Sequence, residues 1–281
     1  MFIEIIIAVL LGIAAGIFTG LTPGIHINLV SLLVVSSAAY LSNIFSFASL
    51  GVFIISMAIT HTFLDTLPAI FLGAPESETA LSVLPGHKLL LRGMGYEAVK
   101  LTIIGSLMSL LTALVLFPLF IFLVPRIYEK IQVYIGYFLI IMMAYMIFIE
   151  KGADKKFWSF FVFMASGILG LIVLTLPNLG QPLFPLLSGL FGISMLIVSL
   201  MQKTEIPKQS ITDQIKIPKK ESIKAIGAAT LTGSFASFFP GLGPAQAAVI
   251  GSQIVGSLEN YAFLILVGGI NTVNMAVSLV S

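Results

Sequence analysis

The chain has 281 residues, 58% hydrophobic and 9% charged, where a soluble domain carries about 25% charged residues. That balance places it in a bilayer. With no cysteine, disulfides, thiol catalysis and cysteine-bound metals are excluded, and the net charge of +2 comes from basic residues dispersed among loops, which leaves no face for nucleic acid.

A membrane-crossing helix needs roughly 20 mainly apolar residues, with about 17 as a lower limit. By that rule there are ten candidate segments: 2–18, 27–45, 48–72, 99–124, 132–149, 157–176, 183–201, 223–239, 245–258 and 261–280, the ninth being short. The first has no basic flank and carries Glu4, so it reads as a retained helix rather than a signal peptide. It ends in Thr19-Gly20-Leu21-Thr22-Pro23-Gly24, and a related phrase, Pro240-Gly241-Leu242-Gly243-Pro244-Ala245, follows the eighth segment. A shift of 221 residues superimposes the two regions without a gap. It pairs Gly12 with Gly233, Ala15 with Ala236, Phe18 with Phe239, Gly20 with Gly241, Leu21 with Leu242, Pro23 with Pro244 and Ser31 with Ser252. Gly and Pro interrupt helices by mechanism. Paired interruptions in two halves of a polytopic protein point to a transporter binding site.

The second segment, 27–45, either crosses or re-enters. The third holds Ser56, Thr60, His61, Thr62, Asp65 and Thr66, followed by Pro68. Asp65 is the deepest of the acidic residues, and a carboxylate at that depth is costly enough to be a functional candidate by default. His61 and Asp65 stand i, i+4 and share a helix face. They suit a proton-handling pair, a cation site or an internal hydrogen bond, while two ligands are too few for a metal centre. The stretch 73–95, with Ala74-Pro75-Glu76, Pro85-Gly86-His87-Lys88 and Gly93-Met94-Gly95, reads as a turn-rich connection.

If every segment crosses, one side receives Lys88, Arg92, Lys100, Lys151, Lys155, Lys156, Lys203, Lys208, Lys216, Lys219, Lys220 and Lys224, and the other only Arg126 and Lys130. Lysine and arginine mark the cytoplasmic face, so Met1 is expected outside and residues 203–224 inside. Seven crossings separate the first break from its counterpart, and an odd number inverts the second copy. The expected fold is an all-α polytopic membrane protein of about ten transmembrane or re-entrant helical segments in two inverted-topology repeats. Residues 1–202 form the first repeat, 203–224 a charged cytoplasmic linker, and 225–281 the start of a second, incomplete one. An incomplete unit is expected to expose small-residue faces at Gly251, Gly256, Gly268 and Gly269, suited to self-association.

Helices beginning at Pro23 and Pro244 would aim free N–H groups and a positive dipole end at the breaks, a geometry that attracts anions. The substrate-binding candidates are therefore Gly20, Thr22, Pro23, Gly24, Asn28, Pro240, Gly241, Gly243 and Pro244. Asn271, Thr272 and Asn274 in the last segment join them, with amide and hydroxyl groups that can meet a carboxylate or coordinate sodium, or bond between helices. Thr60, His61 and Asp65 are the ion-coupling candidates.

Pro240-Gly241-Leu242-Gly243-Pro244, its degenerate first copy, the polar third helix, the Ala74-Pro75-Glu76 and Pro85-Gly86 turns, and the run from Gly93 to Ala98 resemble the large membrane subunit of the tripartite tricarboxylate transporter family, including its shorter archaeal relatives. The resemblance implies secondary transport of carboxylates driven by an ion gradient, assisted in bacterial systems by an extracytoplasmic binding protein and a small membrane subunit. The expectation is a multi-pass permease of the cytoplasmic membrane. It would have no cofactor or catalytic residue, and would move a small di- or tricarboxylate-like anion with H+ or Na+. Its other partners would be lipid and either further copies of itself or a second membrane subunit. The alternatives are an intramembrane enzyme using His26, His61 and Asp65, and a non-catalytic subunit of a larger complex.

Overall fold

In the computed structural model the long apolar runs are helices, since a backbone in lipid must satisfy its own hydrogen bonds. The structure describes residues 2–23, 25, 27–72, 79–176, 193, 197, 201, 206–211, 216–239, 242–256 and 260–279. In order these give α1 (Phe2–Leu21), α2 (Ile27–Ser36), α3 (Ala38–Leu41), α4 (Phe47–Leu64), α5 (Thr66–Phe71), α6 (Ala80–Leu90), α7 (Gly95–Ile131), α8 (Ile135–Ile149), α9 (Ala153–Thr175), α10 (Lys219–Ser237), α11 (Pro244–Val255) and α12 (Asn260–Val277). Every regular element among the described residues is helical. Five stretches are long and apolar enough to cross a membrane: Phe2–Leu21, Phe47–Phe71, Gly95–Arg126, Gln132–Ile149 and Ala153–Thr175. The seventh expected segment, 183–201, falls almost wholly outside the described residues.

Two expected boundaries change. The third segment is divided at Asp65, because Pro68 has no N–H for the Leu64 carbonyl and its ring crowds that position. The supposed connection 73–95 contains α6, whose Gly86 lies so close to Ile70 that an added Cβ would stand 2.7 Å from its Cγ1. His87 Nδ1 sits 3.0 Å from the Ile70 carbonyl, near the end of α5. Gly93, at φ +77°, then makes the left-handed turn into α7.

Small residues fix how the helices meet. A Cβ at Gly12 would lie 2.6 Å from the Phe53 carbonyl, one at Gly16 2.6 Å from the Met57 carbonyl, and one at Gly20 2.9 Å from Leu64. Positions along α1 and α4 advance together, so the two helices run parallel. The Glu4 carboxylate accepts from the Ser46 amide at the start of α4, which ties both beginnings to one face. Residues 22–46 therefore carry the chain back along the length of α1. Gly16→Leu forces the crossing apart and should cost about 3 kcal/mol, which thermal unfolding in detergent would register as a lowered midpoint.

A second crossing joins α7, α10 and α12. Gly105 rests on the Ile265 backbone, Gly268 on that of Thr102, and Gly269 on Ser109 and Ala229. Ser106 Oγ donates to the Gly268 carbonyl at 3.0 Å. Gly233 of α10 approaches the Ile270 carbonyl and Val273 at 3.0 and 3.1 Å, measured from an added Cβ. This meeting resembles that of Gly12 with the Phe53 carbonyl and Ser56: a carbonyl, then the side chain three residues later. The pair α10 and α12 is parallel, as α1 and α4 are. Across the pairs the order reverses, for Asp65 meets Asn271 while Met275 packs against the cluster containing Met57. Gly251, Gly268 and Gly269 are thus taken up within the chain, against Thr232, α7 and α10, rather than exposed for self-association as expected. Gly256 closes α11 at φ +79° with nothing within 4 Å of an added Cβ.

Part of the lysine-rich linker is docked. Gln209 Nε2 donates to the Leu90 carbonyl at 3.0 Å, the Gly95 amide donates to Gln209 Oε1 at 2.8 Å, and the Ser210 amide donates to the Gly93 carbonyl at 3.0 Å. Gln209→Ala removes two of these clips, each worth about 1 kcal/mol. Limited trypsin digestion should then cut at Lys208 faster than in the wild type.

Candidate functional site

Asp65 stands where α4 stops and α5 begins, and it is 2% exposed. Asn271 Nδ2, from α12, donates to its Oδ2 at 2.6 Å. One helical turn back, His61 Nε2 lies 3.9 Å from the same oxygen, and His61 Nδ1 is 3.0 Å from Thr19 Oγ1 of α1. The Thr19 hydroxyl also reaches the Gly16 carbonyl at 3.3 Å. If that hydroxyl donates to the carbonyl, its oxygen accepts from Nδ1–H and leaves Nε2 to face the carboxylate. Four side chains from three helices thus form one polar cluster, two hydrogen-bonded pairs set 3.9 Å apart, beneath the glycine crossing that lets α1 approach α4.

A separate hydroxyl pair, beginning one residue after Asp65, reaches α7. Thr66 Oγ1 is 3.2 Å from Thr102 Oγ1, which donates to the Val99 carbonyl at 2.8 Å. Thr102, Ser106 and Ser109 all face α12 and are at most 1% exposed. The Ser109 and Thr272 hydroxyl oxygens have no hydrogen-bond partner among the described residues. Polar groups kept so deep in a membrane protein mark ion or substrate paths.

The two interruptions approach one part of α12. After the first, Ile27 belongs to a buried cluster with Met57 and Ala58, against which Met275 packs. Before the second, Phe238 packs against Val273 and Val277, with its ring 6.1 Å from that of Phe120. The breaks therefore flank residues 273–277. Asn274 lies in that turn, half-buried, and its Oδ1 has no partner among the described residues. Along α4 this level falls near Met57, with 14 residues of the apolar stretch Phe47–Phe71 still to come, so it lies within the thickness of the helical layer.

The individual candidates fare differently. Pro244 begins α11 as expected, but the Gly243 amide donates to Gln246 Oε1 at 3.1 Å, which occupies one of the groups foreseen for an anion. Pro23 does not begin α2. The Ile25 amide bonds the Thr22 carbonyl at 3.3 Å, and this turn delays the helix until Ile27. Gly20 is buried against α4, Thr22 and Pro23 are half-buried, and Asn28 is exposed on α2. Thr60 is half-buried under Gly16, away from the His61 and Asp65 contacts. Gly24, His26, Pro240 and Gly241 lie outside the described residues. Asn271, grouped by sequence with the substrate residues, donates to Asp65. Sequence reasoning had Thr66 only as a member of the polar third segment and missed the roles of Thr19, Thr102 and Ser106. The small and polar spacing Thr102, Gly105, Ser106, Ser109 on one face of α7 was the available signal.

Comparison with known proteins agrees with this setting. The family described as the tripartite tricarboxylate transporter TctA family matches residues 6–281. An uncharacterized protein of Methanocaldococcus jannaschii is 34% identical over 279 residues, covering 97% of this chain and 67% of the relative. No solved structure matches.

Proposed function

Because the chain belongs to the tripartite tricarboxylate transporter TctA family, a family of membrane transporters, we propose that it moves a small di- or tricarboxylate-like anion across the cytoplasmic membrane, driven by a proton or sodium gradient. The observation that carries this is the pair of chain breaks flanking the turn of α12 that holds Asn274. The anion is held between them by Gly20, Thr22, Pro23, Gly24 and Asn28 on one side and Pro240, Gly241, Gly243 and Pro244 on the other, with Thr272 and Asn274 from α12. The start of α11 at Pro244 supplies the attraction on the second side, apart from the Gly243 amide that Gln246 holds. His61 and Asp65, joined by Asn271 and Thr19 and neighboured by Thr60, couple the ion. Asn271 touches Asp65 and stands three residues, a rise of about 4.5 Å, from Asn274, which gives ion and anion a shared wall.

The two units, 1–202 and 225–281 joined by 203–224, are inverted repeats in this proposal. Its support is the sequence register of 221 residues and the opposite direction of the two parallel pairs, α1 with α4 and α10 with α12. An arrangement of this kind puts the site at the repeat interface. The family's tripartite character makes a small membrane subunit and an extracytoplasmic binding protein the partners, alongside further copies of this chain.

Uptake of labelled citrate, malate and succinate into proteoliposomes, with and without imposed pH or sodium gradients, tests this. Gradient-dependent accumulation of at least one acid is the expected result. No uptake by a folded preparation, alone or reconstituted with its copurifying membrane subunit, would overturn it.

A further inference from the structure

Asp65 and Glu97 are the two buried carboxylates among the described residues, at 2% and 3% exposure. Glu97 lies in the first turn of α7, on the side of the lysine-rich loops, and the site described above does not use it. It lines a cleft of about 210 Å³ with Lys100, Leu101, Ile104, Ile217, Ser222 and Ile265. At about 30 Å³ each, several water molecules fit there. Two hydroxyls in contact lie along the chain from these carboxylates: Thr66, which follows Asp65 in sequence, and Thr102, which follows Leu101 of the cleft wall. On α7 Thr102 and Glu97 are five residues apart, a rise of about 7.5 Å with about 140° of rotation, so water has to complete the link between them.

We infer that Glu97 is the release group of a proton path that begins at Asp65 and leaves by this cleft toward the lysine-rich face. The inference rests on the ion-coupled transport proposed above and makes its ion a proton. The groups that meet Asp65 favour this choice. Asn271 turns its N–H toward the carboxylate and His61 brings a ring nitrogen, whereas sodium calls for a shell of oxygens. His61 is the titratable neighbour of Asp65, and α1 and α12 bring neutral Thr19 and Asn271. In the cleft Lys100 is the charged neighbour of Glu97, with neutral Ile217 and Ser222 from the α10 side and Ile265 from α12. In each cycle the Asp65 carboxyl gives its proton to the hydroxyl and water chain. The Glu97 carboxylate accepts one from the other end and passes it to water in the cleft. Lys100, about one turn from Glu97, lines the same cleft.

Glu97→Gln separates this step from substrate movement. In proteoliposomes, citrate accumulation driven by a pH gradient should fall about a hundredfold, while citrate-for-citrate exchange, which needs no net proton release, should stay within about threefold of wild type. Both rates unchanged, or both lost in a variant that keeps the wild-type unfolding temperature, would overturn the inference. A wild type that moves no acid would instead count against the transport function. Labelling by a hydrophobic carbodiimide, read by mass spectrometry, then decides for Glu97 without substrate. Its labelling midpoint should move by about one pH unit in Asp65→Asn if the carboxylates are linked, and an unmoved midpoint contradicts the path.

Discussion

Asp65→Asn should abolish gradient-driven uptake, lowering it by about two orders of magnitude, while leaving the protein folded. Asparagine has the size of aspartate and keeps an oxygen for the Asn271 amide, now 2.6 Å from Oδ2, so the α4–α12 contact survives. What disappears is the charge that an ion cancels. Asp65→Ala is the contrasting variant. It leaves the Asn271 amide buried without an acceptor and should destabilise by about 2 kcal/mol as well as stop transport. The measurement is uptake of labelled citrate at matched protein density, with the unfolding temperature recorded for both variants. An Asp65→Asn protein that still concentrates citrate along a pH or sodium gradient would remove Asp65 from the coupling mechanism.

Asn274→Leu should weaken carboxylate binding by roughly tenfold to a hundredfold, equal to about 1.4–2.8 kcal/mol. The leucine side chain is similar in volume but offers neither donor nor acceptor in the turn that the two breaks flank. Its effect should fall on KM more than on the maximal rate, because the residue lies away from the His61 and Asp65 contacts. Saturation curves for citrate, or competition by unlabelled acids, separate the two parameters. An unchanged KM would move the anion site elsewhere in the chain.

Much of this organisation was legible before the fold. Hydrophobic runs located the helices, since lipid leaves the backbone few alternatives, and Gly-Leu-x-Pro marked both interruptions because Gly and Pro act on the backbone directly. His61 and Asp65 stood out as ionisable groups far inside an apolar segment. The partners were less legible, because contact between residues 206 apart depends on helix crossings that no local pattern encodes. The contact of Asn271 with Asp65 was therefore not foreseen, and Thr19 became the neighbour of His61 through the spacing Gly12, Gly16, Gly20. Gly268 and Gly269 looked like an open face until α7 supplied Thr102, Gly105 and Ser109 to fill it. The delayed start of α2 was hidden for a related reason. Pro at a helix start and Pro within a preceding turn have the same sequence signature.

The absence of cysteine makes the central claim directly measurable, since one introduced thiol is the only thiol present. Asn274→Cys, in membrane vesicles, should react with a small charged methanethiosulfonate, and saturating citrate, malate or succinate should slow that reaction about tenfold or more by occupying the space between the breaks. A thiol that stays unreactive in the native protein but reacts after unfolding, or one whose rate no carboxylate alters, would contradict a carboxylate site at this turn of α12.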